Sequence, residues 1–320
     1  MAFLQNVFLV ALLGAWLAVS FPSQPANPIL AVVTTPLVDC LAFATSPPGL
    51  NPTSCVESYY LRWLEASAVR IVPLPWNATS EQRLSILQGV NGVLFPGGSL
   101  GGLAFDEYVS NSTEVFNYAV QRNLQGDPFF LWGTCQGFQV LAVIAAKNTS
   151  ILKCGYHGTD PSMLPLKFTS YQPDSKLFGS STPSDILSIL MTKNSTLNYH
   201  SCGVSPADFA ANTLLTETFT TISTNVDING LPFVSSYESP KYNFFAVQFH
   251  AERILYEFSN DIIGHSESDV KVSLYLSNFI AQWLKKNNHS FPNPAAVDGM
   301  LLENYPIQNL GYGSLVYWIS

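Results

Sequence analysis

The hydrophobic positions of the chain alternate between short apolar runs and stretches of helical spacing. The apolar runs are rich in β-branched residues, as in buried parallel strands, and lie at residues 28–37, 69–75, 90–98 and 128–135. Helical spacing marks residues 54–68, 79–89, 112–124 and 137–147. Repeated β-α units of this length predict an α/β fold, a mainly parallel sheet with helices on both faces.

The second half of the chain departs from this alternation. From about Cys154 to Tyr242 the pattern is more polar and strand-rich, and a buried strand returns in YNFFAVQFHAER. Ser268–Asn288 has the spacing of a long amphipathic helix with two lysines in its last turn. We therefore predict one large domain over residues 28–291 and an extension, residues 292–320, to which the pattern assigns no role.

Composition narrows the function classes. The 320 residues are 47% hydrophobic, which suits a full core, and the net charge is −8 with no run of lysine or arginine. Nucleic-acid binding needs a basic surface that displaces counterions, so we predict no nucleic-acid partner. A small acidic or neutral substrate fits better.

The first residues resemble a secretory signal. An apolar run from Val7 to Val19 has small residues at its end, with Ala18 and Ser20 at the positions expected for cleavage after Ser20. The run is shorter than the ~20 residues of a membrane span, so we predict a signal peptide at residues 1–20 and no stable span after cleavage. Five N-glycosylation sequons favour a glycosylated protein of the secretory pathway; they begin at Asn77, Asn111, Asn148, Asn194 and Asn288.

The chain has five cysteines, which is an odd number. In an oxidising compartment at least one lacks an intrachain partner. If that one is Cys135, three pairings remain, of which Cys40 with Cys55 and Cys154 with Cys202 is one. Cys154 with His157, and His200 with Cys202, are spaced as half-sites for zinc, but neither has its second half, and we predict no metal.

Cys135 lies on a sharp corner, in FLWGTCQGFQVLA. A residue between a parallel strand and the following helix projects into the ligand site of an open α/β sheet. Gly133 and Gly137 allow a tight bend and close approach of a substrate. The helix N-terminus then favours a thiolate, so Cys135 is the candidate nucleophile.

A nucleophilic thiol needs a base and a group that orients the base. Of the five histidines, only His250 ends an apolar strand, and Glu252 falls on the same side if the backbone stays extended. We predict a Cys135–His250–Glu252 set. Backbone amides of the turn Phe95–Gly98 and of Gln136 are candidates for an oxyanion hole.

These motifs together resemble the γ-glutamyl hydrolases, within the class I glutamine amidotransferase-like superfamily. The resemblance rests on NGVLFPGGS, WGTCQGF, VQFHAE and YYLRWLEASAVRIVPL and covers residues 28–291. It implies a flavodoxin-like, three-layer fold, with Cys135 as a nucleophile that forms a thioester and His250 as its base. It further implies that Glu252 lies beside the base, that His200 lies near the substrate, and that Gly97, Gly98 and the Gln136 amide form the oxyanion region.

The resemblance also implies folate and antifolate poly-γ-glutamates as substrates, no cofactor, a homodimer, and a location in the lysosome, the vacuole or secretions. Two positions depart from the family: Gln139 stands where glutamate is usual, and Ala251 replaces a proline. Two alternatives stay open. One is a glutaminase module of an amidotransferase, and the other is a non-catalytic binding protein of the same fold.

Overall fold

The computed structural model describes residues 27–156 and 162–320, so the predicted signal peptide and His157 lie outside the described residues. The strands of the described part are β1 (Ile29–Val33), β2 (Thr35–Pro36), β3 (Ser54–Glu57), β4 (Arg70–Leu74), β5 (Gly92–Phe95), β6 (Phe130–Thr134), β7 (Leu152–Cys154), β8 (Ser162–Leu164), β9 (Lys167–Phe168), β10 (Thr196–Asn198), β11 (Cys202–Val204), β12 (Thr220–Val226), β13 (Pro232–Glu238), β14 (Phe244–Val247), β15 (Ile307–Gly311) and β16 (Ser314–Ile319). The helices are α1 (Leu37–Cys40), α2 (Ser58–Glu65), α3 (Ser80–Gly89), α4 (Gly102–Leu124), α5 (Gln136–Ala146), α6 (Ser184–Thr192), α7 (Pro206–Ala211), α8 (Thr213–Thr218), α9 (Glu267–Leu284) and α10 (Pro294–Asp298).

The main sheet has eight strands in the order β4-β1-β5-β6-β14-β13-β12-β9. The first five run parallel, and the three at the far edge are antiparallel. The predicted α/β class with a mainly parallel sheet is therefore confirmed. None of the helices within the described ranges is long and apolar enough to cross a membrane.

Both faces of the sheet are buried, which explains the continuous apolar runs. In β1, Ile29, Ala31 and Val33 pack on one face with α4 and α5, whereas Leu30 and Val32 pack on the other face with α2 and α9. Side chains of a strand alternate between faces, so a fully apolar run is needed when helices cover both sides.

Two predicted helices have different ends in the structure. Ser54–Glu57 is a strand, and α2 begins only at Ser58, because Ser54–Glu57 pairs with β2 and β16. The helix predicted at Ser268–Asn288 runs instead from Glu267 to Leu284, after a capping box at Ser266. Lys285 and Lys286 follow that helix and do not lie in its last turn.

Residues 292–320 pack onto the large domain. Strands β15 and β16 form a hairpin that continues through β3 to β2, a second sheet of four strands. Trp318 of this hairpin is fully buried against the Cys40–Cys55 disulfide. Its turn accepts a hydrogen bond from the segment that follows His250, because the Phe258 amide donates to the Tyr312 carbonyl at 2.8 Å.

Candidate active site

Cys135 lies between β6 and α5, at the carboxyl end of the parallel sheet. Its backbone has φ +51° and ψ −106°, a conformation that side chains rarely adopt. Such strain persists only where surrounding contacts impose it, and it is common at functional sites. The side chain is 3% exposed, and its sulfur lies 3.8 Å from the Tyr199 carbonyl oxygen. Cys135 is the one cysteine outside a disulfide, all five lying in the described ranges.

The flanking glycines have a different role from the one predicted. The bend is made by Cys135 itself, since neither Gly133 nor Gly137 has a positive φ. A Cβ atom on Gly137 would lie 2.0 Å from the Phe95 carbonyl oxygen, and one on Gly133 would lie 2.7 Å from the Gly137 backbone. The glycines therefore allow α5 to pack directly against β5 and β6.

His250 and Glu252 lie beside one another after β14. The strand ends at Val247, so the backbone does not stay extended to Glu252. The two side chains still meet, with His250 Nδ1 2.6 Å from Glu252 Oε1, and both residues are buried. The His250 amide donates to the Leu197 carbonyl at 2.8 Å, which fixes the start of this segment.

Charge at this pair favours the imidazolium–carboxylate state. Burial alone would lower the pKa of His250, but the charges of Glu252 and Cys135 raise that pKa to about 10. Burial alone would raise the pKa of Glu252, yet the neighbouring His250 holds it below its ordinary value. His250 therefore carries a proton at acid and neutral pH, and its hydrogen bond to Glu252 is charge-assisted.

The loop after β5 forms the wall opposite His250. A Cβ atom on Gly97 would lie 2.8 Å from His250 Cε1 and 3.5 Å from Cys135 Cβ, so this backbone lies directly against both side chains. The Gly97 amide donates to the Tyr60 hydroxyl at 2.7 Å. Among the described residues, the amides of Gly98 and Gln136 have no acceptor. These two amides are therefore available to a substrate oxygen, whereas the Gly97 amide, also expected in the oxyanion region, is taken up by the Tyr60 hydroxyl.

Two side chains hold that loop in place. Gln136 bonds both backbone groups of Leu100, accepting from the amide at 3.2 Å and donating to the carbonyl at 2.9 Å. The buried carboxylate of Asp39 accepts the Ser99 amide at 2.9 Å and the Ser99 hydroxyl. The loop is therefore fixed before any substrate binds.

His200 approaches from a third direction. Its Nδ1 lies 3.0 Å from the Cys202 carbonyl, which also accepts from Gln139 Nε2 at 2.7 Å. Burial, together with the charge of His250, lowers the pKa of His200 to about 4. The neutral ring donates from Nδ1 to that carbonyl, which leaves Nε2 as an acceptor. Gln139 thus uses an amide donor that a glutamate carboxylate would lack.

The cysteines spaced like zinc ligands are not free thiols. Cys154 and Cys202 form a disulfide that joins β7 to β11, next to His200. His157, the other half of that pattern, lies outside the described residues. In the ranges the structure describes, no group of three or more His, Cys, Asp or Glu residues is arranged to hold a metal ion.

Sequence reasoning missed three residues of the site. Helical spacing over residues 54–68 predicts for Tyr60 only a place in a helix, although its hydroxyl accepts a hydrogen bond from the Gly97 amide. No motif in the sequence marks Asp39 or Arg253. In the structure, Asp39 accepts a hydrogen bond from the Ser99 amide, and Arg253 donates one to Glu57. An acidic residue beside a disulfide cysteine and a basic one beside the His-x-Glu pair were the available signals.

Comparison with known proteins adds independent information. Residues 55–266 match the family model described as glutamine amidotransferase class-I. The chain is 29% identical over 283 residues to γ-glutamyl hydrolase B of Dictyostelium discoideum, covering 87% of this chain and 78% of that one. It is 31% identical over 253 residues to human γ-glutamyl hydrolase, covering 78% and 77%. It is 28% identical over 270 residues to γ-glutamyl hydrolase 1 of Arabidopsis thaliana, covering 83% and 76%.

Proposed function

Since this chain belongs to the class I glutamine amidotransferase family and, within it, to the γ-glutamyl hydrolases, we propose that it cleaves γ-glutamyl amide bonds through a thioester on Cys135. The observation that carries the proposal is the Cys135 corner facing the charged His250–Glu252 pair. Nucleophile, base and orienting group are the parts that acyl transfer requires.

In the first half-reaction, the Cys135 sulfur attacks the γ-carbonyl carbon of a glutamyl residue. His250 holds the proton that the thiol gives up, and Glu252 fixes the ring through Nδ1. The oxygen that becomes negative lies where the Gly98 and Gln136 amides can donate to it, and such donors stabilise the tetrahedral intermediate. The intermediate then collapses to the thioester, and His250 protonates the departing amine.

In the second half-reaction, a water molecule attacks the thioester carbon. His250 accepts a proton from that water, and the C–S bond breaks to release the Cys135 thiolate and a γ-carboxylic acid, which loses its remaining proton to solvent. His200 stays neutral at working pH because its pKa is lowered to about 4. We propose that its Nε2 accepts a hydrogen bond from the bound substrate.

We propose folate poly-γ-glutamates as the substrate class, supported by the γ-glutamyl hydrolases that match most of the chain. The test is chromatographic analysis of purified protein with pteroylpenta-γ-glutamate, with its α-linked isomer and with glutamine. We expect shorter pteroylglutamates from the γ-linked compound only. Consumption of glutamine with intact folate would make the protein a glutaminase, and no reaction with any of the three would favour a binding protein.

The loop that faces His250 provides a sharp test of this geometry. In a Gly97→Ala variant the new methyl group would meet the His250 ring at 2.8 Å. Because misplacement by ~1 Å costs on the order of a hundredfold in rate, we expect kcat to fall by about that factor. Gly101→Ala is the matched control, since its Cβ would meet nothing within 4 Å. Equal activities of the two variants would show that this loop does not line the reacting groups.

We also propose that the mature protein resides in the secretory pathway, outside cells or in a lysosome or vacuole. The signal-like first residues, two disulfides and exposed sequon asparagines support this location; those exposed are Asn77, Asn148, Asn194 and Asn288. Protein from its native source should lose mass on treatment with an N-glycan amidase. An unchanged mass together with an intact first residue would contradict the proposal.

A further inference from the structure

Arg253 directly follows Glu252 and is enclosed by carboxylates. One terminal guanidinium nitrogen lies 2.9 and 3.0 Å from the two carboxylate oxygens of Glu57, and the other lies 2.7 Å from Glu257 Oε2. The third nitrogen, Nε, lies 3.8 Å from Glu252 Oε1, the oxygen that contacts His250. The Arg253 side chain is 16% exposed, so these contacts form mostly away from water.

The partners of Arg253 come from separate parts of the fold. Glu57 ends β3 and is paired in register with Val316 of the C-terminal hairpin. Glu257 follows on the same segment as Arg253, whose carbonyl accepts the Glu257 amide at 3.0 Å. The guanidinium also lies 5.1 Å from the Tyr59 ring of α2. The segment after His250 is therefore anchored to the second sheet through this arginine.

The carboxylates around Arg253 need a positive charge to balance them. The ionisable groups facing Arg253 are Glu57 from β3, Tyr59 and Tyr60 from α2, and Glu252, Glu257 and His250 from its own segment. Without the guanidinium, three carboxylates would face one imidazolium. Burial raises the pKa of Glu57 despite Arg253, whereas His250 and then Arg253 lower that of Glu252. Arg253 thus favours the ionised form of Glu252.

From these contacts we infer that Arg253, clamped by Glu57 and Glu257, is a positioning residue that holds the Glu252 carboxylate against His250. The inference rests on the proposed function, because it assigns Arg253 a role in the same hydrolysis. Arg253 acts through Glu252 and does not touch the reacting atoms. The second sheet, including β16 of the C-terminal hairpin, thereby supports the catalytic segment.

The test compares Arg253→Met, Arg253→Lys and Glu57→Gln by kcat, KM and the pH profile of kcat. Arg253→Met should lower kcat by about tenfold to a hundredfold, with KM within about threefold, because Glu252 is less well aligned. It should also move the acid limb of the profile to higher pH, because the pKa of Glu252 rises when the positive charge of Arg253 is lost. Arg253→Lys should return the acid limb to its wild-type position and restore part of kcat. Lysine keeps the positive charge but lacks the planar guanidinium that bonds two carboxylates at once.

Glu57→Gln should move the acid limb to lower pH, because it removes a negative charge near Glu252 and so lowers the pKa of Glu252. Arg62→Met is the matched control, since Arg62 stacks on Tyr256 at 4.2 Å in the same region and contacts no carboxylate of the described residues. It should leave the acid limb in place. A purely structural role would lower thermal stability in all variants without separating their pH profiles.

Two results would overturn the inference. One is a folded Arg253→Met enzyme with wild-type kcat and an unshifted acid limb. If Arg253→Met does not fold, a wild-type kcat in Arg253→Lys together with an unshifted acid limb in Glu57→Gln has the same force. Failure of the proposed function is distinguishable, because the wild-type enzyme would then cleave no γ-glutamyl amide at any pH.

Discussion

Replacing Cys135 by alanine or serine is expected to reduce hydrolysis of a γ-glutamyl amide by at least about ten-thousandfold. Each variant keeps the proposed oxyanion amides and the His250–Glu252 pair but lacks the sulfur proposed to form the acyl bond. Loss of the nucleophile from such a triad typically leaves only the small acceleration that binding and the oxyanion hole provide. The measurement is the single-turnover rate with excess enzyme, which separates chemistry from binding.

A third variant, Cys135→Gly, serves as a structural control. Because Cys135 holds φ +51°, glycine relieves strain that alanine retains. We expect the free energy of unfolding of Cys135→Gly to be about 1 kcal/mol higher than that of Cys135→Ala. Both variants should be inactive. Denaturant titration measures the difference. Substantial activity in either variant would exclude Cys135 as the nucleophile, and a less stable glycine variant would contradict the strained corner.

The second large effect is expected for Glu252→Gln. The substitution keeps the shape of the side chain but removes the charge that holds His250 protonated and correctly oriented. Breaking the equivalent contact in a triad costs on the order of ten-thousandfold in kcat, and we expect a loss between about a hundredfold and that value. Glu267→Gln is the control, because the Glu267 side chain is exposed and its ion pair with Lys271 lies on the surface.

The pH dependence of stability tests the same pair. The pKa of His250 is raised from 6.5, so its stabilising contribution is complete below pH 6.5 and is lost as pH rises through about 10. The pKa of Glu252 is lowered from 4.5, so its contribution is present above pH 4.5 and is lost as pH falls below that value. The free energy of unfolding of the wild type should therefore exceed that of Glu252→Gln by the largest amount between pH 4.5 and 6.5. A difference independent of pH would show that the pair is not ionised.

Local patterns in the sequence were enough to predict the main sheet and the Cys135 corner. Continuous apolar runs mark strands buried on both faces of the sheet. The contact of His250 with Glu252 was expected from an extended backbone, but the strand ends at Val247 and bends bring the pair together. The predicted contact is thus present, although the backbone that was expected to make it is not extended.

What the sequence did not predict depends on contacts between distant segments. Ser54–Glu57 has helical spacing, yet it is a strand because β16, more than 250 residues later, pairs with it. Gly97 and Gly98 are equivalent in sequence, but only the Gly97 amide is taken up by the Tyr60 hydroxyl. Arg253 acquires its role only where Glu57 of the second sheet meets it. No local pattern encodes such pairings.

The central claim is that Cys135 carries the acyl group, and acid-quench peptide mapping tests it most directly. Wild-type enzyme is mixed with saturating pteroylpenta-γ-glutamate, quenched in acid during turnover, and digested for mass spectrometry. We expect the peptide containing Cys135 to carry the mass of a glutamyl or pteroylglutamyl acyl group, labile to hydroxylamine and absent from Cys135→Ala. Turnover with no acyl group on Cys135, or with one on another residue, would contradict the account.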